Sequence, residues 1–480
     1  MALVACGGPS EPIPTAVPVE PTPKAAVTPE AAATPKPAAT STVAPTPKAA
    51  PTAEVAAPTQ AAAPSAGGCA TVADGQLGVA RAVAYQDTLD SWRVIGLVCN
   101  KTPEAVQNVQ LEVDLFDQGG NAIYRNQNVF AALNNIAAGE ASPFGLSIYD
   151  PIGAPDQVKA AVTSSEKAVL KRATVDTQGV TTAIDDQGNL HITGELINHG
   201  DAPVEIHGLA AATFEKDGKM FTADYAGVLI HYLAPGASGP FRVSMFGPKS
   251  GATALDTYQL YFDAETTDPK EFLINAKADL KDLNPYLDAN GQFHLVGEIT
   301  NPGATNIGVR LLATVYDKDR HVIDASSLDT AISAIKPGEA IPFAFNYWGA
   351  LGGKKGLSDA FASYEVQVDP TWTWTTEMEL FDLKTQNDST QWNEFQGTFT
   401  GEVINSTGGD LESAVIMVGI YAKQAQAGAN PLLATNYAFA DIKDKLADGQ
   451  TAPYTVYVPI PKGFNIDNYE YRIVVKGKRP

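Results

Sequence analysis

Gly297-Glu298-Ile299-Thr300-Asn301 is followed by Val315-Tyr316-Asp317-Lys318-Asp319 and then by Lys336-Pro337-Gly338-Glu339, and this order of landmarks decides the fold. It occurs four times. A Gly with an Asn four places later stands at Gly96 and Asn100, Gly194 and Asn198, Gly297 and Asn301, and Gly401 and Asn405, at intervals of 98, 103 and 104 residues. Glu follows the Gly at Glu195, Glu298 and Glu402, and the next position is always apolar: Val98, Leu196, Ile299 and Val403. An aromatic lies 15 or 16 residues beyond the Asn, at Phe116, Phe214, Tyr316 and Tyr421, with Asp117, Glu215 and Asp317 after it in the first three copies. A turn, 138–140, 235–237, 337–339 or 448–450, then leads into Pro143-Phe144, Pro240-Phe241, Pro342-Phe343 or Pro453-Tyr454. A signature with this period marks an internal repeat.

The residues between the landmarks alternate as strands do. Val109, Leu111, Val113 and Leu115 interleave with polar neighbours; Ile307, Val309, Leu311, Ala313 and Val315 repeat the row, as do Ala414, Ile416, Val418 and Ile420. Period two means one buried and one wetted face. In the second copy the inward row reads His207, Leu209, Ala211 and Thr213. Gly119-Gly120, Gly188-Asn189, Asp217-Gly218 and Asn290-Gly291 are hairpin signals. Units of this length, with short alternating strands and frequent turns, predict an all-β chain of four tandem immunoglobulin-like β-sandwich domains over 70–166, 167–268, 269–372 and 373–480. The linkers at 164–167, 265–270 and 369–375 are short, so limited bending is expected at the joints.

The signature needs no ligand to explain it. Gly permits a close strand approach or a bulge, Asn closes a strand by an Asx turn, Pro-Gly-Glu makes a tight connection, and the aromatic with its Asp caps the next strand. The three quoted segments of the third copy, echoed in the others, resemble the FxLYD domain, an immunoglobulin-like sandwich of bacterial secreted proteins and lipoproteins. The resemblance thins in the fourth copy, where Ala422 follows Tyr421. It implies a fold and an extracytoplasmic setting, and no catalytic or binding residues.

Ahead of the repeats the composition changes. Residues 1–66 hold 20 Ala, 14 Pro and 9 Thr and no aromatic, too little apolar surface to offset the entropy of ordering, so a disordered tether is expected over 9–66. Thr-Pro-Lys units at 22–24, 34–36 and 46–48 favour polyproline II, with a reach of about 180 Å at ~3.1 Å per residue. Met1 to Gly8, with Cys6 after Leu3-Val4-Ala5, resembles the lipobox of bacterial lipoproteins. That resemblance implies that 1–8 is the remnant of a signal peptide, that Cys6 carries lipid, and that the membrane is a partner through this anchor. Five residues before the Cys are fewer than the apolar stretch a signal peptide needs, so either the chain begins inside its signal peptide or the match is accidental.

The 33 basic and 54 acidic residues of the chain give a net charge of −21, which disfavours nucleic acid as a partner. No run of about 18 apolar residues predicts a spanning helix. With Cys6 assigned to lipid, Cys69 and Cys99 are left, either bridged in an oxidising compartment or kept as two buried thiols. His191, His199 and His207 are evenly spaced but do not have metal-site spacing, and are expected at the surface or at an edge. Asp317-Lys318-Asp319 and the 185–188 turn lack the pattern of a calcium loop. Trp372 and Trp374 share a strand face and, with Trp348 and Tyr347, form either a sugar platform or packing between two sandwiches. No nucleophile elbow, Walker loop or dinucleotide fingerprint is present, and no metal or cofactor is expected. The expected function is therefore non-enzymatic: a monomeric, rod-like envelope lipoprotein for adhesion, scaffolding or protein interaction with an unknown protein or glycan partner. The alternative is a carbohydrate- or peptide-binding module of the cell surface.

Overall fold

The structure, a computed structural model, describes residues 66–169, 173–185, 188–215, 218–249, 257–268, 276–347, 361–369, 373–423 and 431–480. Cys6, the tether, Trp348 and Trp372 lie outside the described residues. Among the described residues one 3-10 turn, Ala66–Cys69, leads into an all-β body.

The first sandwich comprises β1 (Leu77–Gln86), β2 (Trp92–Asn100), β3 (Val106–Phe116), β4 (Ala122–Phe130), β5 (Asn135–Ile136), β6 (Ala141–Ile148) and β7 (Gln157–Lys167). One sheet has the order β1-β2-β6; in the other, β3 is flanked by β4 and β7 and pairs at its start with β5. The β2–β6 pairing skips the three strands between them, the crossover of an immunoglobulin-like sandwich. In the second sandwich β8 (Asp176–Ile184), β9 (Leu190–Ile197), β10 (Val204–Phe214), β11 (Met220–Ala226), β12 (Tyr232–Leu233), β13 (Ser238–Met245) and β14 (Thr257–Thr266) repeat the plan. The third uses β15 (Asp279–Leu287), β16 (Phe293–Thr300), β17 (Ile307–Gly308), β18 (Arg310–Tyr316), β19 (Val322–Asp329), β20 (Ala340–Tyr347) and β21 (Ser363–Val368), and β22 (Trp374–Thr375) pairs with β17. The fourth is β23 (Phe381–Asp382), β24 (Lys384–Trp392), β25 (Gln396–Ile404), β26 (Ser413–Ala422), β27 (Leu432–Phe439), β28 (Thr451–Pro459) and β29 (Tyr469–Lys478). Each sandwich has its own core, centred on Leu111 and Phe144, Ile192 and Phe241, Leu295 and Val315, and Phe399 and Ile416.

The repeated residues make this plan fold. The Gly faces the aromatic across the sheet, with Gly96 opposite Phe144, Gly194 opposite Phe241, Gly297 opposite Phe343 and Gly401 opposite Tyr454. The ring covers the strand so closely that a Cβ on Gly96 would sit 2.5 Å from Phe144, and one on Gly194 2.7 Å from Phe241. On the other flank the partner strand bulges, with a positive φ at Arg81, Gly179, Asp282 and Asn387, so two residues face the one Gly.

The Asn does more than close an Asx turn. All four are fully buried. The Asn301 side-chain amide donates to Thr305 O and Ile335 O, both at 2.8 Å, and its Oδ1 accepts from Gly303 N at 2.8 Å. Asn100, Asn198 and Asn405 make the same three contacts. The Asn301 backbone binds the Pro-Gly-Glu turn, accepting from Gly338 N and donating to Glu339 O. One residue thus fixes the end of one strand, the start of the next and a turn more than 30 residues away.

Two details differ from the sequence reading. A bulge between Ile206 and Gly208 turns Ile206 into the core and leaves His207 exposed, so His207 is not in the inward row. Trp374 and Thr375 lie on the third sandwich, through β17, and Leu380 also joins the core of the third.

Asn301→Ala removes three hydrogen bonds at a fully buried side chain, those to Thr305 O, Ile335 O and Gly303 N, and costs about 3 kcal/mol. Native-state hydrogen exchange of the third sandwich checks this; protection equal to wild type contradicts it.

Candidate functional site

The residues that the repeat conserves on its outer faces meet at the joints. In each joint the outer face of the first sheet of one sandwich is covered by the second sheet of the next, β2 and β6 by β11, β9 and β13 by β19, and β16 and β20 by β27. The aromatic at or next to the end of β18 or β26 is placed by its strand beside the Glu that follows the repeated Gly in the preceding sandwich. Tyr316 donates to Glu195 Oε1 at 2.8 Å, and Tyr421 donates to Glu298 Oε1 at 2.7 Å. The second carboxylate oxygen is held from within its own sandwich, by Gln178 at 2.8 Å for Glu195 and by Lys281 at 3.0 Å for Glu298. Above each ring lies a guanidinium, Arg320 over Tyr316 at 3.7 Å and Arg472 over Tyr421 at 4.3 Å.

The first joint replaces this polar pair by an apolar one. Leu97 stands where the other copies have Glu, and Phe214, which lacks a hydroxyl, stands where they have Tyr. Both belong to one cluster with Ile95, Ala210, Ala212 and Met220, and Arg81 lies over the Phe214 ring at 5.2 Å.

Contacts around these centres add to each seam. Tyr85 donates to Phe246 O at 2.9 Å, and Tyr286 donates to Pro459 O at 2.9 Å. Arg242 pairs with the buried Asp324 at 2.9 Å across the second joint; burial raises the Asp324 pKa although the guanidinium opposes the shift. Burial pushes the Tyr85 hydroxyl up to about 12. Burial, reinforced by the carboxylate it binds, also raises Tyr316 and Tyr421.

The residues singled out by sequence do not converge. Cys69 and Cys99 are joined as a disulfide with Cα atoms 5.8 Å apart, at the edge of the first joint's cluster. Trp374 is half-buried against Gly308, where a Cβ would come within 2.2 Å of its ring. His191 contacts Asp185 and Ser244, His199 lies near Asp176, and His207 lies near Glu205. Asp317, Asp319 and His321 are close enough to hold an ion, but Asp317 Oδ1 accepts from the backbone of Asp319 and His321, which closes the hairpin. The sequence showed the Glu and the aromatic as separate landmarks; their pairing across the joints was missed. The signal lay in the Leu97 and Phe214 copies, which lose the carboxylate and the hydroxyl together.

No family model and no curated protein matches the chain. Among solved structures, the native conformation of E. coli alpha-2-macroglobulin is similar at 8% identity and a TM-score of 0.11, over 84% of this chain and 28% of that one. The chain therefore spans little more than a quarter of that protein, and a likeness at this score carries no argument.

Replacing Tyr421 by Phe removes the donor from a buried carboxylate and costs about 1–3 kcal/mol. In a double-mutant cycle with Glu298→Ala, read by hydrogen exchange of the fourth sandwich, the two changes are strongly non-additive; simple additivity contradicts the pairing. The tyrosines add a pH dependence. Their folded pKa values lie above the ordinary 10, so their contribution is fully present below pH 10 and is lost as pH rises through the folded values, near 12 for Tyr85. An ultraviolet phenolate titration therefore shows a late-ionising class among the 17 tyrosines, coincident with opening of the joints. A single titration near 10 contradicts this.

Proposed function

We propose that the chain is a non-enzymatic lipoprotein of the bacterial cell envelope, anchored through Cys6, in which FxLYD-type sandwiches serve adhesion, scaffolding or protein interaction. The observation that carries this reading is the chemistry of the joints. The charged and polar residues that recur with the repeat, Glu195, Glu298, Tyr316 and Tyr421, bind one sandwich to the next, and the recurring Asn and Gly hold each sandwich together. Residues kept for geometry in every copy suit a molecule whose product is a fixed spacing between its ends. The Cys69–Cys99 disulfide supports an oxidising compartment. The tether beyond Cys6 suits a spacer between a membrane and the sandwiches.

Metabolic labelling with palmitate tests the anchor, with the protein expressed from its own chromosomal locus. Wild type takes up label and sediments with membranes, and Cys6→Ser takes up none and is released. Unlabelled wild type, or label that persists in Cys6→Ser, contradicts the proposal.

A further inference from the structure

The outer face of the β24-β25-β28 sheet repeats the face of the second sandwich on which the third is seated. Along β9 that face presents Thr193, Glu195 and Ile197; along β25, in the same register to the repeated Gly, it presents Thr400, Glu402 and Ile404. The adjoining strand supplies Gln178 in one case and Gln386 in the other, each donating to Oε2 of the Glu at 2.8 Å. Pro240 stands opposite Glu195, and Pro453 stands opposite Glu402. The two faces differ in occupancy. Glu195 Oε1 holds the Tyr316 hydroxyl. Glu402 has its Oε2 bound by Gln386 and Asn387, and its Oε1 accepts from no residue among those described. On the same sheet Tyr457, opposite Thr398, is 53% exposed.

We propose that this face docks a further β-sandwich, different in sequence from the first sandwich of this chain, whose second-sheet central strand has near its end a tyrosine that donates to Glu402 Oε1. A second copy of this chain does not fit. The second sheet of its first sandwich, β4-β3-β7, carries Gln110, Glu112 and Asp114 where the seated β10 carries Gly208, Ala210 and Ala212, and its aromatic is Phe116, without a hydroxyl. Two carboxylates would be brought against Glu402, and like charges brought together at an interface suppress the wrong partner. Arg125 pairs with both acids, at 3.3 Å to Glu112 and 2.7 Å to Asp114, which leaves that face polar and self-satisfied. These faces of the first and fourth sandwiches are therefore unlike: one is neutralised internally, the other keeps an acceptor in the arrangement that an interior joint uses. The proposal does not depend on lipid at Cys6.

The test converts the unfit face into a fit one on the full chain. Glu112→Ala, Asp114→Ala, Arg125→Ala and Phe116→Tyr give the first sandwich the residues of a seated sheet, all at half-buried or exposed outer positions. Sedimentation velocity is expected to show concentration-dependent head-to-tail association of this variant, a monomeric wild type, and association weakened at least about tenfold when Glu402→Ala is added. A folded variant that stays monomeric overturns the proposal, as does association that survives Glu402→Ala. If the fourfold change unfolds the first sandwich, Asp114→Ala with Phe116→Tyr makes the same comparison.

Discussion

Two carboxylates, Glu195 and Glu298, are withdrawn from water where one sandwich meets the next, and the arrangement of the chain depends on what each finds there. A buried charge without partners is costly, and since an amide or ammonium of the same sandwich holds one oxygen, the seam is stable only in the orientation that delivers a tyrosine hydroxyl to the other. The bond adds little attraction beyond what packing supplies. It penalises the alternatives, since sliding or rotating a sandwich strands the carboxylate. The first joint is oriented differently, by the shape of Leu97 against Ala210, Ala212 and Phe214, with a disulfide at its edge.

Within each sandwich an equivalent part is played by the buried Asn. Three side-chain bonds and two backbone bonds converge on Asn301, so the two sheets and the turn that leads back into β20 are tied at one point. The Gly four residues earlier lets the ring of Phe343 lie flush on the strand while the neighbouring strand bulges at Asp282. Since the bulge positions β15 and the outer residues of β16, the same Gly sets where Glu298 emerges on the face that the fourth sandwich covers.

The elements governed by local rules were legible in the sequence. Alternation gave the inward rows of β3, β18 and β26, and Gly-containing turns marked hairpins whose glycines adopt positive φ at Gly120, Gly188, Gly218 and Gly291. The row through β10 departs from strict alternation because a bulge shifts the period at His207, and composition does not announce a bulge. The place of Trp374 on the third sandwich is not legible locally, because the pairing of Trp374 and Thr375 with Gly308 and Ile307 is a contact across more than 60 residues. The Glu–Tyr joints connect residues 121 and 123 apart, beyond the reach of local pattern. Only the correlated loss of both groups in the first joint recorded them.

The distribution of distances between sandwiches tests most directly whether the joints hold one geometry. With Cys6 replaced by Ser, nitroxides placed at the exposed positions 225 and 466, through Tyr225→Cys and Ile466→Cys, span the second to the fourth sandwich. Pulsed electron resonance is predicted to give one narrow distance distribution, which broadens when Tyr316→Phe and Tyr421→Phe are introduced. A broad distribution in the otherwise unaltered chain, or one indifferent to loss of both hydroxyls, would contradict the account.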